Sequence, residues 1–555
     1  MYLTTKTVHG DTYFYVEEKA WIDGKSRRLW QKYLGPADKF KDLDLSALIS
    51  KHADKVQMVT LNFGLSAALW YIASKINLVS MIDAHASKER HQNLTVGEYI
   101  TIAAINRCVA PCSKTKLSSW FSKDWLHTRF NIDPAVFNAQ TYWNQFQALD
   151  EGVIEAIELA IDRAILAMYP LDMDRLLFDP TNFYTYSHGS EASLLQCGHS
   201  KQNQNGLRLV NYSLLCTRDF GIPLMHHTYA GNEQDAKAFK GIPARVEERM
   251  KALGKDTSAI TVVFDKGNHS PAAFKIIDEL KLHLIASARN SMHKDLMHEP
   301  REKFTSTMLP VTGKVVEYFK TTRSIYDVDR DVYVVLDPRK HEKHVMEFRA
   351  KLERKRNAID TLFKARLNVK KWCKKTAVEK KVKSMIGKRP FKDVLVARVG
   401  GVDQQVTLSV VVDSNAQARY EETLGRSIIF TNRQGWTPEQ VIWGYREQYV
   451  VEHAFKMMKC PGCIAIRPMF HHANASVRAH VFTCVISLLL LSLLRAELSG
   501  KGIHESYGHI IDALRDIHVN EITLASGKPI MYKMERVAGL AGKMVKSLGL
   551  NRLLR

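Results

Sequence analysis

Paired cysteines, a leader segment and a membrane-length apolar run are all scarce in this sequence. Its 555 residues hold eight cysteines, with no basic-then-apolar leader at the start. Reduced thiols in a cytosol are therefore expected, not a disulfide framework. The most apolar stretch, Val481 to Leu494, is 14 residues long and ends at Arg495. A membrane-spanning helix needs roughly 18 to 20 such residues, so this one reads as a buried core helix and no membrane partner is expected. Zinc is set aside as well. Cys460-Pro-Gly-Cys463 and the pair Cys108/Cys112 have half-site spacing, but no His-x-x-x-His partner lies near either pair, and a lone C-x-x-C is a weak signal. Internal repeats and low-complexity tracts do not stand out. Acidic residues are outnumbered, 58 Asp and Glu against 79 Lys and Arg, for a formal charge of +21. That surplus points to a polyanionic partner, because each basic side chain set on a phosphate also releases condensed counterions. The bland alternative is a solvated basic surface. With 45% hydrophobic and 25% charged residues, the chain is ordinary globular material, long enough for two or three domains.

Residues 1–59 read as strand-rich, with Thr12 to Val16 and Arg27 to Tyr33 on either side of Asp23-Gly24, a hairpin turn signal. Residues 60–170 read as helical, with Leu65, Leu69, Ile72, Ile76 and Val79 at three-to-four spacing. This part is either a DNA-binding domain or a packing bundle. From 171 the pattern becomes one of strands and helices. Leu176 to Asp179 is a short apolar strand ending in a carboxylate, and Leu209 to Cys216 and Pro223 to Tyr229 follow as strands. A helix over Ala236 to Leu253, the strand Ala259 to Phe264 ending at Asp265, a helix near Pro271 to Leu280 and the strand His283 to Ala288 complete the series. That order predicts an α/β, RNase H-like core with a mixed five-stranded sheet. The core is expected to occupy 171–290 and 427–496, split by a mixed insertion of strands and basic helix over 291–426. A basic tail fills 497–555. Within the insertion, Arg339 to Lys392 carries 20 Lys or Arg against 5 Asp or Glu, which suits DNA-backbone binding or a solvated helical face.

Three acids stand out. Asp179 and Asp265 each follow an apolar strand and open onto a polar segment, where a buried frame holds a solvent-reachable group. Taken singly, either could instead start a turn. Glu452 lies on a helix read as Pro438 to Lys459. There Tyr445, Gln448, Glu452, Phe455 or Lys456, and Lys459 recur at three-to-four spacing and form one stripe. Three converging carboxylates repel unless cations sit between them. Two Mg²⁺ ions, with Mn²⁺ able to substitute, suit such a set and can drive phosphodiester displacement. Lys456 and Lys459 would hold phosphates alongside.

These residues resemble the bacterial insertion-sequence transposases with an Asp-Asp-Glu triad, in the branch with the signature Tyr-x-x-Arg-x-x-x-Glu-x-x-x-x-x-x-Lys. Tyr445, Glu452 and Lys459 stand at the signature spacing, and Gln448 replaces the Arg. Gly198-His-Ser-Lys201, Gly221-Ile-Pro223, Gly231-Asn232 with Asp235, Arg467-Pro468, Arg478-Ala-His480 and the N-terminal Leu34-Gly35 also resemble that group. The resemblance implies an enzyme that binds its element's terminal inverted repeats as a homodimer in the bacterial cytoplasm, associated with the nucleoid. Its Asp179, Asp265 and Glu452 would be metal ligands, and it would nick double-stranded DNA and join the freed 3′ end to target DNA. Tyr445, Gln448, Lys456, Lys459 and Lys201 would contact DNA. Three rivals are an RNase H-like nuclease without strand transfer, a catalytically silent DNA-binding protein derived from a transposase, and a generic basic scaffold protein in which the acids are incidental.

Overall fold

Short apolar runs bounded by Gly, Pro and Asp become strands, while longer periodic ones become helices. The computed structural model describes residues 2–8, 11–22, 25–36, 56–86, 94–130, 132–190, 192–204, 206–524 and 529–554. Strands β1 (Tyr2–Val8), β2 (Asp11–Ile22) and β3 (Lys25–Pro36) form an antiparallel sheet in which Ile22 faces Lys25. The Asp23-Gly24 turn lies outside the described residues. Strand β4 (Val56–Asn62) leads into the helical region, whose main helices are Gly64–Lys75, Val96–Val109 and Glu151–Met168.

The centre of the molecule is a ten-stranded mixed sheet. It contains β5 (Arg175–Thr185), β6 (Gln196–Cys197), β7 (Arg208–Thr217), β8 (Pro223–Ala230), β9 (Thr261–Phe264), β10 (His283–Ser287), β11 (Thr305–Met308), β12 (Val315–Ile325) and β13 (Val328–Leu336). After an excursion carrying the hairpin β14 (Leu395–Val402) and β15 (Gln405–Val412), the tenth strand, β16 (Arg426–Thr431), joins them. The order is β11-β12-β13-β16-β10-β9-β5-β7-β6, with β8 also on β7. Neighbours β5, β9 and β10 run parallel and the other pairs antiparallel.

Alternation along the strands sends Leu176, Phe178, Val262, Phe264 and Leu284 to one face, where the helices Ile242–Ala252 and Pro271–Glu279 cover them. Leu177, Val263, Ile285 and Ile429 point to the other face. There they meet the helices Pro438–Arg446, Tyr449–Lys459 and Asn474–Gly500. The last of these contains Val481 to Leu494. It is long and apolar enough to cross a membrane, yet 94% of its most apolar window is buried inside the protein.

Several sequence expectations differ from the structure. The strand expected to stop at Asp179 continues to Thr185, because β7 pairs along its whole length. On the other side, pairing with β9 ends at Leu177 and Val263, so Pro180 stands where no neighbour needs its missing N–H. The helix expected to run unbroken from Pro438 to Lys459 is two helices joined at Glu447-Gln448. The junction is tightened by three-residue bonds from Gln448 N–H to the Tyr445 carbonyl (3.2 Å) and from Val450 N–H to that of Glu447 (2.9 Å).

The stretch 291–426 also divides in two. Strands β11 to β13 belong to the central sheet. Residues 337–425 leave from Leu336 and return at Arg426, which face each other across the β13–β16 pair. That excursion buries its own core of Phe348, Leu352, Ile359, Phe363, Val378 and Val382. In the tail, β17 (His518–Leu524) and β18 (Pro529–Met534) pair back onto β4, so distant ends of the chain share one small sheet.

Candidate active site

Asp179 and Asp265 come together through strand register. β5 and β9 are parallel, with Arg175 opposite Thr261 and Leu177 opposite Val263. Continuing two residues brings Asp179 level with Asp265, just past the last paired residues, where the strands part. The parallel pairing of β9 with β10, Phe264 opposite Ala286, likewise brings Ser287 level with Asp265. All three share the parity of Leu177, Val263 and Ile285, so they emerge on the face covered by the helix that carries Glu452.

The two aspartates have opposite electrostatic settings. Asp265 is half-buried, which opposes its charge. The Ser287 hydroxyl, the Lys266 N–H and the Tyr445 hydroxyl nevertheless hold its carboxyl below the usual range. Ser287 Oγ donates to Asp265 Oδ1, and Tyr445 donates to the same oxygen at 3.0 Å. Asp179 is pushed up to about 7, chiefly by burial. Lys201 pulls it down, while Asp265, Glu452 and Asp235 push it up. Asp265 and Glu452 thus both lie near enough to Asp179 to raise its carboxyl. Glu452 lies on the exposed side of its helix.

A second layer surrounds Asp179. Lys201 Nζ donates to the Pro180 carbonyl at 2.6 Å and pairs with Asp235 at 2.9 Å. Asn182 accepts from Lys201 N–H and donates to the His199 carbonyl. Tyr229 steadies Asp235 from the far side at 2.7 Å. Gly198 permits this packing. A Cβ there would come within 2.0 Å of the Gly231 carbonyl oxygen, so the two glycine segments close directly on each other. Lys459 Nζ donates to Thr181 Oγ1, and burial together with Lys201 lowers its ammonium to about 8.

The remaining expected contacts divide. Lys456 is exposed beside Glu452. Gln448 is buried and donates to the Phe178 carbonyl at 3.4 Å, so it ties the helix junction to β5 and does not face solvent. Phe455 is also buried, edge-on to Tyr212. Tyr445, Gln448 and Lys459 of the expected stripe nevertheless all reach the strand ends, at Asp265, the Phe178 carbonyl and Thr181, across the turn at Glu447-Gln448. Glu447, absent from the sequence reading, is buried and pairs with Arg175 at 3.1 Å. Ser287, Asp235 and Thr181 were also missed as site residues. For Ser287, the only sequence signal was its place near the end of an apolar strand.

Beyond Tyr445 and Arg446 opens a groove of about 940 Å³ between the sheet and the excursion, with Lys294, Lys340, Arg389 and Arg419 on its walls. Among the described residues, no three His, Cys, Asp or Glu side chains stand close enough together to hold a metal ion as they are placed. The donor set nevertheless fits hard divalent cations. It offers carboxylate oxygens only, one carboxylate is held ionised, and the other is raised partly by like-charge crowding that a cation would relieve.

No family model matches the chain, and no curated protein matches it. Among solved structures, it is similar to the cryo-EM structure of a piggyBac transposase synaptic complex with hairpin DNA. The TM-score is 0.36 at 10% sequence identity, over 81% of this chain and 78% of that one.

Proposed function

We propose that this chain is a DNA transposase with an RNase H-like core, in which Asp179, Asp265 and Glu452 bind two divalent metal ions. The observation that carries the reading is the level placement of Asp179 and Asp265 on adjacent parallel strands, under the helix that bears Glu452. The strand order β8-β7-β5-β9-β10, three antiparallel then two parallel, also supports it.

When bound, Mg²⁺ or Mn²⁺ would stabilise the charge on the attacking and leaving oxygens of a phosphodiester. The three carboxylates would hold the ions, and Lys201, Lys456 and Lys459 would bind phosphates around the cut strand. Water attacks phosphorus, the bond to the 3′ oxygen breaks, and that oxygen leaves as a 3′-hydroxyl after taking a proton. The hydroxyl then attacks a target phosphodiester, one P–O bond forming as another breaks, with no covalent protein–DNA bond. Double-stranded terminal inverted repeats and target DNA are the substrates, handled by a homodimer in a bacterial cytoplasm.

The test is a denaturing gel of labelled DNA carrying the inverted repeats that flank the gene, incubated with protein and Mg²⁺ or Mn²⁺. Metal-dependent nicking at the repeat tip and joined products, both lost in Glu452→Gln with end binding retained, would support the reading. Nicking without joined products favours a nuclease. Repeat binding without cleavage in either metal favours a silent DNA-binding protein.

A further inference from the structure

We infer that Ser287 and Tyr445 are positioning residues that occupy one oxygen of Asp265, leaving the other, Oδ2, to ligate a cation. The inference rests on the metal-site reading above and concerns groups that reading does not use.

Three bonds define the arrangement. Ser287 stands level with Asp265 on the neighbouring strand, and its hydroxyl donates to Oδ1. The Lys266 N–H donates to Ser287 Oγ at 3.1 Å. With a lone pair of that hydroxyl taken, its own proton is directed at the carboxylate. Tyr445 reaches the same Oδ1 at 3.0 Å from the last turn of the helix Pro438–Arg446. Two hydroxyl donors on one oxygen fix both the rotation of the carboxyl and the oxygen that remains free. Bonds of this kind orient ligands and tune metal affinity.

The arrangement also departs from the role that the family resemblance gives Tyr445. Its hydroxyl proton is committed to Asp265, so a phosphate contact would cost that bond. Tyr445 stands immediately before the turn at Glu447-Gln448, and Gln448 is itself tied to Phe178, next to Asp179. One short segment thereby holds Asp265 by a side chain and β5 by a backbone carbonyl.

The test uses the full-length protein and Mn²⁺ binding measured by titration calorimetry, without DNA and with inverted-repeat DNA. Melting temperature is followed for every variant. Ser287→Ala and Tyr445→Phe are each expected to weaken Mn²⁺ binding by roughly ten-fold or more. Ser287→Thr, which keeps a hydroxyl, should restore it, with melting temperatures close to wild type. On DNA, the Mg²⁺ concentration for half-maximal nicking should rise in parallel, and the rate at saturating Mg²⁺ should largely recover. Wild-type Mn²⁺ affinity in both single variants and in the double variant overturns the inference, provided that Asp265→Asn abolishes binding. Undiminished binding in Asp265→Asn, or no Mn²⁺ binding by the wild type in either state, overturns the metal-site reading and this inference together.

Discussion

Asp179 and Asp265 stand level on neighbouring parallel strands, because the step between them along the chain equals the step between the paired residues Arg175 and Thr261. The two carboxylates are therefore set by backbone register, with one short side chain each to span the remaining distance. Lengthening either chain by one methylene keeps the charge and spoils the placement. Asp179→Glu and Asp265→Glu should each slow single-turnover nicking by about 100-fold, since misplacing a reacting group by about 1 Å has that scale of effect. Wild-type rates in either variant would remove that carboxylate from the site.

Lys459 gives a prediction in protons. Its ammonium is lowered to about 8 by burial and by Lys201, with Asp179 as the opposing influence. A phosphate placed beside it favours the charged form, so DNA binding near pH 8 should take up roughly half a proton at this position. Calorimetry in two buffers of different ionisation enthalpy measures the uptake. Lys459→Arg, always charged, should remove it, and an unchanged uptake would place the proton elsewhere.

A third prediction concerns stability in the helical region. Asp124 is fully buried, and burial pushes its carboxyl up to about 7 from 3.8, against the Ser66 hydroxyl and the Leu126 N–H. The folded-state value is raised, so between about pH 4 and pH 7 the unfolded chain gives up its proton first and stability falls as pH rises. The loss amounts to on the order of 4 kcal/mol. Asp124→Asn can accept from the Leu126 N–H and donate to a turned Ser66 hydroxyl, without a charge. Its melting temperature should match wild type near pH 4 and exceed it by several degrees at pH 8. A pH-independent difference would sink the account.

The basic excursion gives a fourth. Lys370, Lys371, Lys374, Lys380, Lys381 and Lys383 are all exposed. If they lie on DNA phosphates, changing them to Gln should flatten the dependence of log affinity on log salt by about 0.9 for each contact removed. Filter binding from 50 to 200 mM salt decides it, and an unchanged slope would leave these lysines as a solvated face.

How much of this was legible in the sequence differs from element to element. The apolar runs at Leu176, Thr261 and His283 mark their strands clearly, because strands buried on both faces have to be continuously apolar. The end of β5 was not legible. Nothing before the fold is known says that β7 continues to pair where β9 stops, or that Pro180 sits on the free side. The periodicity around Glu452 shows a helix but not its break, which depends on buried partners far away in sequence, Arg175 for Glu447 and Phe178 for Gln448. Ser287 was invisible as a site residue because its significance lies only in register with Asp265. In the tail, β17 and β18 depend on a partner near residue 60 that local pattern cannot name.

The pairing of Leu336 with Arg426 has a last consequence. A segment that departs and returns at adjacent, paired positions asks little of the sheet beyond a closed hairpin and the Asp337–Arg446 ion pair at its base, whatever hangs from its tip. Loop closure grows only slowly more costly with length, and this segment packs a core of its own. The sheet is accordingly indifferent to the size of its appendage. Residues 337–425 form a detachable graft, replaceable in principle by an Asn-Gly turn, while Asp179, Asp265 and Glu452 remain on the rootstock.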